Sequence, residues 1–262
     1  MSFSELINQV KAGASEVTIG AEWGQGRAVF GGIVAGLVYQ AMVQSVKEHR
    51  PVRSLQISFI GPVAVEEPLE LTTEILREGK SVSQIMGRGR QNGQTQVSIT
   101  GSFGHARDSA IEVHDTENTL SEKPEALTAM PYIEGMTPAF TQFFEFRYIT
   151  QLPFTGSRDT HLKGLVRFKD TSETMDNAAL LGLVDAWPPT PLPMLTKVAP
   201  ASSLNWSIDF IEDQPDLTAD EFCQYQADIV HAQDGYAYTR AKIWNSKGKL
   251  IAISQQTVTV FG

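Results

Sequence analysis

The 262-residue sequence holds a single cysteine, Cys223, and has no Cys-x-x-Cys pair or Cys/His cluster. An internal disulfide is therefore impossible, and a thiolate zinc site is excluded. Cys223 beside Phe222 in a strand pattern reads as core packing rather than as a nucleophile. Basic residues are also scarce: 21 Lys and Arg stand against 30 Asp and Glu, a net charge of −9. A general nucleic-acid binder needs a basic footprint, so no nucleic-acid partner is expected. There is no Gly-x-Ser-x-Gly elbow and no P-loop. Gly87-Arg88-Gly89-Arg90 lacks the last glycine of the dinucleotide fingerprint and lies in a strand pattern. His49, His105, His114, His161 and His231 are scattered without metal-ligand spacing and read as solvated. No metal and no cofactor are expected. The opening Met1-Ser2-Phe3-Ser4-Glu5 carries no basic stretch ahead of an apolar one, which does not read as a secretory signal. A reducing cytoplasm is the expected compartment.

What is present is ordinary globular composition, with 42% hydrophobic and 19% charged residues and a mean hydropathy of −0.15. The charge is uneven. Residues 1–108 hold 10 basic and 10 acidic residues, whereas residues 109–262 hold 11 and 20. A polyanionic ligand would favour the neutral first half. Ala28–Val46 is a run of 19 residues without formal charge. It is interrupted by Gly31, Gly32 and Gly36 and ends in Gln40, Gln44 and Ser45. Apolar all round, it reads as a helix over 28–47 buried in a protein core rather than as a membrane span. The Gly32-x-x-x-Gly36 spacing then implies close packing against a sheet.

After this helix, period-two alternation predicts strands at 54–59, 69–76, 81–91 and 94–103, with Asn92-Gly93 as the hairpin turn. Residues 105–140, with Pro124, Pro131, Pro138 and the acidic run Glu112–Glu125, read as linker. Beyond it the order recurs. Strands are expected at 144–148 and 164–168, then a helix over 175–187 stopped by Pro188-Pro189, then strands at 203–211, 222–230, 236–244 and 249–261. Gly36-Leu37-Val38 matches Gly182-Leu183-Val184 at an offset of 146, Ile57–Ile60 matches Ile208–Ile211 at 151, and Gly93 matches Gly248 at 155. Such slow growth is what small loop insertions produce in an internal duplication. A curved antiparallel sheet wrapped around one long helix buries that helix on all sides. Two copies make an α+β tandem hot-dog, with units at 1–108 and 135–262 and a linker at 109–134.

One carboxylate is out of place. Asp185 ends the apolar run Ala178–Val184, where the first half has Tyr39, and it must be solvated by a pocket, hydrogen-bonded or protonated. Arg27-x-Val29-Phe30-Gly31-Gly32, Arg77-x-Gly79-Lys80-Ser81 with Arg88, Asn92-Gly93 and Ser98-x-x-Gly101-Ser102-Phe103, and Leu183-x-Asp185-Ala186-Trp187-Pro188-Pro189 together resemble the double hot-dog acyl-CoA thioesterases of type II. The resemblance covers nearly the whole chain outside the linker. It implies hydrolysis of an acyl-CoA thioester to free acid and CoA, without a metal or covalent intermediate. Carried over by position, it implies Asp185, Ser203 and Gln256 as the residues that hold and deprotonate a water, and an acyl-CoA partner. Ser202 is the alternative hydroxyl, because strict alternation sets Ser203 opposite Leu204 and Trp206. Gln256 shares the face of Leu250, Ala252, Val258 and Val260, so it points inward. Backbone amides of Gly31 and Gly32 are candidates to receive the thioester oxygen, and Arg88 and Arg90 are candidates for the CoA phosphates. A homodimer or higher homo-oligomer is expected. The alternatives are a non-enzymatic acyl-CoA binder and a hot-dog hydroxyacyl-thioester dehydratase.

Overall fold

An N-terminal helix, α1 (Phe3–Lys11), opens the chain and was not expected from the sequence. Its signals are local. Ser2 and Glu5 form a reciprocal capping box, with the Glu5 amide donating to Ser2 Oγ at 3.2 Å and the Ser2 amide to Glu5 Oε2 at 2.7 Å. Phe3, Leu6, Ile7 and Val10 repeat at helical spacing and are all buried. The structure, a computed structural model, describes residues 1–46, 48–114 and 122–261. The last residue of the expected first helix, Lys47, and positions 115–121 of the acidic run lie outside the described residues.

After α1 come a short strand β1 (Glu16–Thr18) and a small hairpin, β2 (Gly24–Gln25) and β3 (Ala28–Val29). The hairpin leads straight into α2 (Gly31–Ser45), followed by β4 (Val52–Phe59), β5 (Pro68–Glu78), β6 (Val82–Gln91) and β7 (Gln94–Gly104). The second half repeats the order: β8 (Phe144–Tyr148), β9 (His161–Phe168), α3 (Asn177–Asp185), β10 (Ala201–Phe210), β11 (Cys223–Gln233), β12 (Tyr236–Trp244) and β13 (Leu250–Val260). Asp176 caps α3 by accepting from the Ala179 amide at 3.0 Å.

The two expected sheets are one. Strands run in the order β1-β5-β6-β7-β4-β10-β13-β12-β11-β9-β8, because β4 and β10 pair antiparallel at the centre. The register supports the duplication. Leu55 pairs with Gly101 in the first half as Trp206 pairs with Gln256 in the second, at offsets of 151 and 155. Inside the sheet α2 and α3 lie antiparallel, with Gly31 and Gly32 against Asp185 and Gly36 against the Ala178 carbonyl. Gly36 therefore packs on helices, not on the sheet. The Phe3 ring fills the notch it shares with Gly182, where an added Cβ would lie 3.2 and 2.7 Å from that ring. Glycines do admit α2 to the sheet, but they are Gly87 and Gly101, which face Val38 and Met42. Among the described residues no helix is long and apolar enough to cross a membrane.

Candidate active site

The end of α3, the start of α2 and the ends of β10 and β13 converge on a cavity of about 450 Å³. Gly31, Asp185, Ser202, Ser203 and Gln256 all contribute to its wall. The antiparallel helix pair is what brings Asp185 to the first turn of α2. That turn has no side-chain cap, since Phe30 stands at the N-cap. Its free amides are donors without intrahelical partners, and the Gly32 amide donates to the Asp185 carboxylate. Glycine is required here for space. A Cβ at position 31 would stand 2.8 Å from Asp185 Oδ2, and one at position 32 would stand 3.1 Å from Asp185 Cβ.

Three polar side chains form a sequence of contacts. Ser203 Oγ donates to Gln256 Oε1 at 3.5 Å, and Gln256 Nε2 donates to Asp185 Oδ1 at 3.5 Å. Both separations are at the long limit of hydrogen bonding, so each group retains capacity for a further partner. Burial pushes the Asp185 carboxyl up to about 7, against the opposing effect of the Gly32 amide and the Gln256 side chain. Tyr225, packed flat on Trp187 at 5.2 Å between ring centroids, also has its phenol pushed up, first by burial and then by the charge of Asp185.

A β-bulge gives Ser202 and Ser203 different surroundings. Pairing of β10 with β13 skips Leu204, passing from Ser203↔Val258 to Asn205↔Thr257. The skip inverts the alternation, so Ser203 shares the inward face with Trp206 despite the odd spacing. Ser202 points the other way and meets Thr259 Oγ1 at 3.1 Å. The same irregularity occurs between Val52 and Ser54 of β4, at an offset of 151. That offset, read on the sequence, already lays Ser203 on the buried Val52, and it is the signal that strict alternation missed.

Residues 19–104 match the family model described as the acyl-CoA thioesterase N-terminal domain, and residues 124–260 match that described as the C-terminal domain. The chain belongs to the acyl-CoA thioesterase family. Solved structures agree on the fold. A hot-dog protein of unknown function from Alicyclobacillus acidocaldarius is 20% identical, with a TM-score of 0.83 and coverage of 94% of this chain and 92% of that one. The acyl-CoA thioesterase II TesB2 from Mycobacterium marinum is 20% identical, with a TM-score of 0.70 and coverage of 99% and 98%. The dehydratase domain of RzxB from Pseudomonas fluorescens, 11% identical with a TM-score of 0.50 and coverage of 88% and 84%, shows that the architecture alone does not choose a reaction. No curated protein matches the chain.

This thioesterase-family chain has one such constellation, not two. Where the second half has Gln256 the first has Gly101, filled by the Met42 side chain. Where it has Asp185, the first half has the buried Tyr39, stacked between Phe103 and Phe210 with both centroids at 6.4 Å. Arg88 and Arg90 are not brought to the cavity. Arg88 pairs with Glu74 at 3.3 Å, and Arg90 Nη2 donates to the Gly93 carbonyl at 2.8 Å. Cys223 is buried in the core, its thiol pushed up to about 12 by desolvation. None of the five histidines contributes to the cavity wall, and among the described residues no group of three His, Cys, Asp or Glu is placed to hold a metal ion.

Proposed function

We propose that the protein hydrolyses an acyl-CoA thioester to a free acid and CoA, with Asp185 as the general base for one water. The observation that carries this reading is the raised Asp185 carboxyl, which is near neutrality and opens into a cavity beside Gln256 and Ser203. A base poised near the working pH is the form that general-base catalysis favours. Gln256 and Ser203 hold the water. Asp185 takes its proton as the oxygen attacks the thioester carbon, and returns that proton to the departing CoA sulfur when the C–S bond breaks. The backbone amides of Gly31 and Gly32, at the uncapped start of α2, are the donors placed to receive charge developing on the thioester oxygen. The absence of a histidine from the cavity wall disfavours a dehydratase that relies on a His/acid pair.

The reading is tested by following thiol release from a panel of acyl-CoA esters. Asp185→Asn retains shape and hydrogen bonding but removes basicity, and should lower turnover by ~10²–10⁴-fold on the best ester. A folded Asp185→Asn protein with turnover near that of the original chain would overturn the mechanism. A chain that binds acyl-CoA without releasing thiol would be a binding protein instead.

A further inference from the structure

Among the described residues, the wall of the cavity carries only two ionisable side chains, of opposite sign, Asp185 and Arg27. Arg27 occupies the turn of the β2–β3 hairpin after Gly26, whose φ of 65° is the left-handed geometry that such a tight turn needs. The side chain is exposed, and among the described residues it has no ion-pair or hydrogen-bond partner. The hairpin that carries it has a firm base. The Val29 amide donates to the Val63 carbonyl at 2.7 Å, and the Phe30 amide to the Trp23 carbonyl at 2.9 Å. Four residues after Arg27 comes Gly31, which lies against Asp185. A free guanidinium is thus held at the rim of the cavity that contains the candidate base, on a protein whose net charge of −9 otherwise repels anions.

We propose that Arg27 binds the phosphate groups of the CoA head, the role that Arg88 and Arg90 do not fill. The proposal rests on the thioesterase reading above and names how the same site selects its substrate. A planar guanidinium forms paired hydrogen bonds to phosphate oxygens, and Arg27, unlike Arg88 and Arg90, has no carboxylate or carbonyl competing for it among the described residues. Arg27 touches no reacting atom, so its contribution belongs to substrate binding and to electrostatic capture at the rim. Its effect should be screened by salt.

The experiment compares one acyl group on two carriers, CoA and N-acetylcysteamine, the second lacking every phosphate. Arg27→Ala should raise KM for the CoA ester about 5- to 30-fold, the range expected when one charge-assisted contact near the surface is lost. Its effect on kcat, and on kcat/KM for the N-acetylcysteamine ester, should stay within about two-fold. Arg27→Lys should restore part of the KM, and the Arg27→Ala deficit should shrink as salt is added. Equal losses on both carriers, or an unchanged KM for the CoA ester, would overturn the proposal. Calorimetric titration with free CoA separates this from the wider reading. If no thiol is released from any ester but Arg27→Ala still weakens CoA binding, hydrolysis falls and Arg27 stands; unchanged CoA affinity overturns Arg27 whatever the turnover.

Discussion

Asp185 is pulled in two directions. Burial disfavours its charge, while the Gly32 amide and the Gln256 side chain favour it, and the balance is a carboxyl at about 7. As a base it acts only when ionised, so kcat/KM should rise with pH through about 7 and level above it. Gln256→Ala removes one donor to the carboxylate. The midpoint should then move to higher pH, with a further drop in the plateau of ~10²–10³-fold from the lost positioning group. A pH–rate profile of both proteins checks this. The same group makes a stability prediction. Its folded value lies above the ordinary 3.8, so the folded state retains a proton that the unfolded chain releases. Stability from this group is therefore full below about pH 4 and lost as pH rises through about 7. Asp185→Asn should melt with the original protein at pH 4 and at a higher temperature at pH 8. The gain is a few kcal/mol, because each tenfold change in proton affinity on folding corresponds to about 1.4 kcal/mol.

Helix α1 ties the two halves together. Its N-terminus is capped from the far half by the buried Glu173, whose carboxylate oxygens accept from the Phe3 and Ser4 amides at 2.9 and 2.7 Å. Phe3 then sits in the notch that Gly36 and Gly182 leave between α2 and α3. Phe3→Ala would empty that notch and should cost about 3–5 kcal/mol in urea unfolding. Most strands were legible because one face is buried, so alternation marks them; β8 and β12 begin and end where the pattern puts them. Helix α1 escaped although its capping box and apolar spacing are local; the other features that escaped have their reason for existing elsewhere in the molecule. β1 is three residues that pair with the edge of β5, and the bulge at Leu204 breaks the alternation of β10 through its pairing with β13.

At the scale of the whole chain, aromatic stacking crosses between the halves. Trp23 lies on Phe143 and Phe30 on Phe140, both at 4.1 Å between centroids, while β4 and β10 make the sheet continuous. The halves share one core, so urea should unfold them in a single transition. Far-ultraviolet circular dichroism and tryptophan fluorescence would report the same midpoint; two resolved transitions would show that the halves are independent.

The amino-acid order by itself determined the repeat, the buried apolar helix and the oddity of Asp185. Each of these is a matter of residue type at a regular spacing, and burial imposes that spacing locally. Only the tertiary structure decided that the two sheets join at β4 and β10, that Gly36 serves Phe3 rather than a strand, and that Ser203 turns inward. It also decided that Arg27, not Arg88 or Arg90, reaches the cavity that holds Asp185. Which neighbours meet across 150 residues depends on the antiparallel packing of α2 against α3 and on one skipped pair in a sheet. No periodicity within either half records those two facts.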